Sequence, residues 1–351
     1  MEKEKSRIGC FDFFRAYGCL AIILLHVVTA WRDDPTNAHA FYTAGSVRIV
    51  FDNAVVPILV RMAVPIYFMM SGVLFLSPER DFSLEKIKRH ISKLLIVLGL
   101  FGYGMALIEL VVRSRNFALS FVWTGFLNLI QEETWSHLWY LYATIGLYLL
   151  TPILRAWLEQ TDERGMNVTI GIAILLLSVI PTIDSVTGLE LTQFGITTPR
   201  GALLCYLLGY YLYSIHDRLA KKQSLIIAGI AVGGGLTGIF GILSYQVGHV
   251  FIEPYHIWII FYSSMLFIFF LNNEWVGKLA SKGVMKILAS SSFLIYIIHP
   301  VFINGLYKAL HIYPDSFPPI VGELIIWGVV ACGSVIGSQI IKRVPWLKKY
   351  V

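Results

Sequence analysis

Charge is what this sequence has least of. Of its 351 residues only 14% are Asp, Glu, Lys or Arg, while 56% are hydrophobic and the mean hydropathy is +0.69. A soluble domain carries charge on about a quarter of its residues, and here no other polar residues fill the gap. A soluble enzyme, a disordered chain and a nucleic-acid-binding domain are therefore excluded. Cysteine is also scarce. Cys10, Cys19, Cys205 and Cys332 are scattered in or beside apolar runs, with no CxxC and no Cys/His cluster. That pattern supports neither a disulfide framework nor a metal site. Long linkers, low-complexity tracts and sequence repeats are absent as well.

What is present is apolar length. A helix needs about 20 apolar residues to cross a bilayer, and ten such runs can be read: 11–31, 56–76, 91–112, 137–155, 167–184, 197–215, 224–244, 256–272, 287–309 and 320–341. The fold class expected is all-α, a polytopic integral membrane protein forming a single transmembrane domain over 1–351. The first run follows Lys3, Lys5 and Arg7 but has no small-residue cleavage site after it, and it contains Asp12 and Arg15. It reads as a retained span. Segments 41–55 and 117–131 are apolar but short, and read as interfacial helices on the outer side.

The basic residues set the orientation. With both termini in the cytoplasm, the inner segments collect 20 of the 28 Lys and Arg, including Lys86, Lys88, Arg89 and Lys93. This is the asymmetry that the positive-inside rule requires. The net charge of +6 is thus mostly topogenic. The longest connections, 32–55 and 113–136, fall outside and mix Trp, His, acidic and amide residues.

Ionisable groups within spans are expensive and usually functional. The first span holds Asp12, Arg15 and His26. Arg15 and His26 are eleven residues apart, close to three helical turns, so they share a face. Asp12 lies one turn before Arg15 and can pair with it. At about 1.5 Å per residue, Arg15 is roughly 6 Å and His26 roughly 22 Å from the inner boundary. Two readings stand: a snorkelling pair plus an interfacial histidine, or a cation at the inner mouth below a titratable base. In the second span Pro65 frees backbone carbonyls and Ser71-Gly72 allows close approach, while Arg61 is expected at its outer end. The fourth span opens with Glu132, Glu133, Trp135, His137 and Trp139, either belt residues or the wall of a carbohydrate site. In the ninth, Ser292, Tyr296 and His299 sit at i, i+4 and i+7 on one face, either as a hydrogen-bonded structural network or as support for His26.

In order along the chain, D-x-x-R-x10-H (Asp12, Arg15, His26), V-P-I-Y-F-M-M-S-G (64–72), H-L-W-Y-L (137–141) and S-F-L-I-Y-I-I-H (292–299) resemble membrane acyltransferase family three. They resemble in particular its small, domain-free branch, which includes the O-acetyltransferase of enterobacterial common antigen. The resemblance covers essentially the whole chain. It implies a bacterial cytoplasmic membrane protein that transfers an acyl group, usually acetyl from cytoplasmic acetyl-CoA, to a hydroxyl of a glycan or other envelope molecule. No metal is implied. The family's arginine and histidine carry over to Arg15 and His26. Its R-R-x-x-R patch corresponds here to Lys86, Lys88, Arg89 and Lys93, where the charge is kept and the arginine pattern diluted.

The expected roles follow. His26 acts as general base or transient acyl carrier. Arg15, oriented by Asp12, guides the pantetheine arm or its phosphate. Lys86, Lys88, Arg89 and Lys93 hold the nucleotide phosphates, and the glycan enters past Glu132, Glu133 and Trp135. Intramembrane Arg, His, Ser and Tyr also suit a proton-coupled transporter or a glycan flippase. Inverted repeats would favour that reading, and none is visible. A non-catalytic scaffold or sensor would tolerate loss of His26.

Overall fold

The computed structural model describes residues 8–32, 45–80, 82–131, 135–189 and 201–350. Their regular structure is helical, and the protein is polytopic. Twelve helices are numbered here in chain order: α1 Gly9–Arg32, α2 Ser46–Leu76, α3 Leu84–Ser114, α4 Ser120–Ile130, α5 Ser136–Glu159, α6 Glu163–Thr187, α7 Ala202–Ala220, α8 Gln223–Val247, α9 Ile257–Leu271, α10 Glu274–Ala280, α11 Gly283–Ala309 and α12 Val321–Ile341. Eight are long and apolar enough to cross a bilayer; a ninth span results if α9 and α10, bent by 85° to each other, count as one. The sixth expected span, 197–215, overlaps α7 in its described part. It carries Tyr206, Tyr210, Tyr211 and Tyr213 and ends in His216-Asp217-Arg218, which lowers its apolarity.

Two local expectations change. Residues 45–55, the described part of segment 41–55, do not form a separate interfacial helix. From Ser46 the chain runs straight into the next span, making α2 a 31-residue helix. Arg61, expected at the outer end, is therefore midway along α2. Prolines explain the irregularities of this helix. Pro65 has no N–H for the Arg61 carbonyl and its ring crowds that position, and the helix breaks at Arg61-Met62. Pro57 likewise leaves the Asn53 carbonyl without its partner, and Phe51–Val55 widens into a π-turn. Segment 117–131 does contain its own short helix, α4.

The described residues group into two compact units, 1–80 with 161–339 and 81–160 with 340–351. In the first, a stripe on α1 (Ala16, Cys19, Ile23, Val27, Trp31) packs on Leu288, Ala289, Ile295 and Ile303 of α11. Lipid offers no hydrophobic drive for such contacts, so helix association depends on close packing. The α2–α7 contact shows how. A Cβ on Gly72 would overlap the Tyr206 carbonyl, and one on Gly209 would overlap the Met69 backbone. In the second unit α4 packs on α3, where the Tyr103 hydroxyl donates to the Val122 carbonyl at 2.9 Å. There α3 also meets α5, with the His90 and Tyr148 rings 6.1 Å apart.

Candidate active site

The α1–α11 contact brings His26 to His299. His26 Nδ1 lies 2.7 Å from His299 Nε2, and the rings stack at 4.9 Å with 14° between their planes. His299 is fully buried and His26 half-buried. The backbone of α11 decides which nitrogens carry protons. Pro300 lacks an N–H, so the carbonyl of Tyr296, four residues earlier, loses its helical donor. His299 Nδ1 takes that place, 2.8 Å from the Tyr296 carbonyl and 3.2 Å from that of Ile295. A carbonyl only accepts, so His299 Nδ1 bears hydrogen and, in the neutral ring, Nε2 is the acceptor. His26 Nδ1–H then donates to it. The basic lone pair of neutral His26 is thereby assigned to Nε2.

The inner end of α1 carries the second group. Arg15 donates to Asp12 Oδ1 at 3.1 Å, as the spacing predicts. The Tyr67 hydroxyl donates to the Arg15 carbonyl at 3.0 Å, and its ring fills the space that a side chain on Gly18 would need. The Asp12 side chain is 10% exposed and that of Arg15 is 38% exposed. A guanidinium held by a carboxylate at a half-open position is suited to an anionic ligand.

The other expected residues divide. Ser71 donates to the Tyr67 carbonyl at 3.0 Å and Ser292 to that of Ala289 at 3.1 Å, both within their own helices. Tyr296 is 6.3 Å, ring to ring, from His299. Of the ninth-span trio, His299 meets His26. Lys86, Lys88, Arg89 and Lys93 lie on the first three turns of α3, and Lys86, Arg89 and Lys93 act electrostatically on His90. Lys88 and Arg89 are exposed, while Lys86 and Lys93 are half-buried. Trp135 lies 6.3 Å from His137, which is buried, and Trp139 packs edge-on to Tyr140. Glu132 and Glu133 lie outside the described residues.

Sequence reasoning missed a third group. Arg48 of α2 and Glu323 of α12 form an ion pair with Nε to Oε1 at 2.8 Å, both side chains buried. Arg48 also donates to the Pro314 carbonyl at 3.0 Å and lies 5.1 Å above the Trp31 ring. Asp52 is within electrostatic reach of both. The available signal was Arg48 and Asp52 at i, i+4 inside an apolar run. Assigning that run to the interface hid it.

Among the described residues no group of three or more His, Cys, Asp or Glu could hold a metal ion. The sequence profile of the acyltransferase 3 family, an acyltransferase domain, matches residues 8–343. The chain belongs to the acyltransferase 3 family. Family membership implies acyl transfer in the membrane, and both α1 groups and the α11 histidine of this acyltransferase domain lie within the matched region. An amino-acid racemase of Enterococcus faecalis is 24% identical over 343 residues, covering 89% of this chain. The chain spans 44% of that relative's length. No solved structure matches.

Proposed function

We propose that this acyltransferase moves an acetyl group from cytoplasmic acetyl-CoA to a hydroxyl of a cell-envelope glycan or a lipid-linked saccharide. The observation that carries the reading is the His26–His299 pair, because its hydrogen bonds leave the basic nitrogen of His26 at Nε2. As the acceptor oxygen attacks the thioester carbon, His26 Nε2 takes the hydroxyl proton. His299 Nε2, accepting from Nδ1–H, stabilises the imidazolium, the orienting part a third residue plays in hydrolase triads. Collapse of the tetrahedral intermediate breaks the carbon–sulfur bond, and the proton passes from His26 to the departing thiolate. The products are the ester and free CoA, and His26 returns to its starting form.

Cationic groups serve the donor. Arg15, held by Asp12, guides the pantetheine arm or a phosphate, and Lys86, Lys88, Arg89 and Lys93 hold the nucleotide phosphates. The acceptor is recognised by Trp135, His137 and Trp139 with Glu132 and Glu133. The protein resides in the bacterial cytoplasmic membrane. Purified protein in detergent releases free CoA from acetyl-CoA in this reading, and H26A does not. Equal release by both proteins excludes His26 as the base, and no release by either excludes the reaction.

A further inference from the structure

Two polar side chains of the first unit take no part in that chemistry, yet both end on α1. The Trp327 indole N–H of α12 donates to the Leu20 carbonyl at 2.9 Å, and the Tyr307 hydroxyl of α11 donates to the Val27 carbonyl at 2.9 Å. Trp327 is half-buried and Tyr307 is buried. Each carbonyl already receives its helical N–H, from Leu24 and Trp31, and takes the second donor on its other lone pair. Leu20 and Val27 are seven residues apart, within about 20° of two whole turns. Both bonds therefore grip one face of α1, at positions that bracket His26. The winding of α11 explains how Tyr307 reaches there. Tyr307 follows His299 by eight residues, which in a regular α-helix turns it about 80° away from the His299 face. Gly305–Ala309 is instead a π-turn, with the Leu310 N–H on the Gly305 carbonyl at 3.1 Å. Its wider winding turns through fewer degrees per residue and brings Tyr307 back towards α1, and such turns are frequent at functional sites.

We propose that Tyr307 is a positioning residue for His26, with Trp327 as the second point of attachment, and that together they fix the rotation and axial position of α1. The proposal rests on His26 being the base. A helix with its side chains is about 10–12 Å across, so a rotation of α1 by about 10° moves its side-chain tips by about 1 Å. That displacement breaks the 2.7 Å bond between His26 Nδ1 and His299 Nε2. Misplacing a catalytic group by about 1 Å can cost about 10²-fold in rate. Stability responds differently. Removing the Tyr307 hydroxyl leaves the Val27 carbonyl bonded to the Trp31 N–H, so no polar group is orphaned and the fold loses little. Tyr307 thus separates from an ordinary packing residue by what its hydroxyl controls, the histidine pair rather than the fold.

The test uses the full chain in detergent with acetyl-CoA as donor. Y307F lowers kcat for CoA release about tenfold, while the acetyl-CoA KM and the thermal midpoint stay unchanged. In an H299F background the same substitution has no further effect, because Tyr307 acts through the histidine pair and the two losses are not additive. Nitrogen-15 spectra of labelled histidines show His26 losing its bond to His299 in Y307F. If Y307F is less stable than wild type, W327F, at a half-buried position, takes its place in all three measurements. An unchanged histidine spectrum overturns the positioning role, and so does a kcat loss as large in H299F as in the wild-type background. If the wild-type protein releases no CoA, the acyl-transfer reading fails, and the spectra alone decide: a changed His26 signal in Y307F keeps the positioning role and an unchanged one overturns it.

Discussion

His26 on α1 and His299 on α11, 273 residues apart in sequence, share a 2.7 Å hydrogen bond between Nδ1 and Nε2. The contact joins two motifs that sequence spacing could only place on separate helix faces. If its purpose is to orient the base, what replaces His299 decides the outcome. His299→Phe keeps a ring in the space but removes the acceptor, and acyl transfer should fall about 10²-fold, as for a misplaced catalytic group. His299→Gln offers a carbonyl oxygen to His26 Nδ1–H and should retain more activity. CoA release by the two purified variants, compared at equal thermal stability, checks this. Equal loss in both would assign His299 to packing.

Arg15→Lys should be defective as well. Its guanidinium is held at 3.1 Å by Asp12 in an orientation that one ammonium cannot reproduce. A residue that merely snorkels to headgroups would tolerate lysine fully. Turnover of the Lys variant at saturating acetyl-CoA separates the two roles.

The basic cluster on α3 makes a different prediction. Replacing Lys86, Lys88, Arg89 and Lys93 together with Gln should raise the acetyl-CoA KM much more than it lowers kcat. Groups that hold the nucleotide equally in ground and transition states act mainly on KM. If the cluster serves only topology and anionic lipid, correctly inserted variant protein will keep the wild-type KM.

Much of the fold was legible because lipid enforces it. A chain so apolar has to satisfy its backbone inside helices, and run length then locates most spans. The errors arose where local chemistry interrupts that rule. The tyrosines of α7 dilute an apolar run, and the prolines of α2 distort a helix without ending it, so that Arg61 moves from the end of a span to its middle. The site was half legible. Asp12 and Arg15 are one turn apart and needed only helical periodicity. His26 and His299 were each visible, and support of His26 by the ninth-span trio was one of two readings left open; choosing between them depends on how α1 packs against α11, which a linear pattern does not carry. Arg48 and Asp52 did carry a local signal, four residues apart in an apolar run, which assigning that run to the interface hid; their pairing with Glu323 on a distant helix has no local spacing.

Close packing between helices predicts a stability effect separate from catalysis. Gly72→Val puts a branched side chain against the Tyr206 carbonyl, a backbone atom that cannot move aside without shifting α7. The cost should be about 1–3 kcal/mol, typical of overpacking, and should appear as a lower thermal midpoint in detergent. His26→Ala, at a half-buried position, should leave the midpoint nearly unchanged. A Gly72→Val protein as stable as wild type would show that α2 and α7 are not held at this distance.

The most specific prediction concerns Pro300, which takes no direct part in the proposed reaction. Its missing N–H leaves the Tyr296 carbonyl for His299 Nδ1, at 2.8 Å. Pro300→Ala restores an N–H, and the α-helical bond from residue 300 to Tyr296 can then form. His299 Nδ1–H would have to share that acceptor with the new donor, and the alternative tautomer, with hydrogen on Nε2, becomes accessible. In that tautomer His299 donates to His26 Nδ1, and the basic lone pair of His26 shifts away from Nε2. The helix itself should gain stability, since a proline in a helix interior costs about 3 kcal/mol relative to alanine. Pro300→Ala should therefore raise the thermal midpoint while lowering kcat, with the acetyl-CoA KM unaffected. Nitrogen-15 spectra of labelled histidines would show the change directly, as a redistribution of protonation between Nδ1 and Nε2 of both rings. A variant that is more stable and equally active would mean that the proline only shapes the helix.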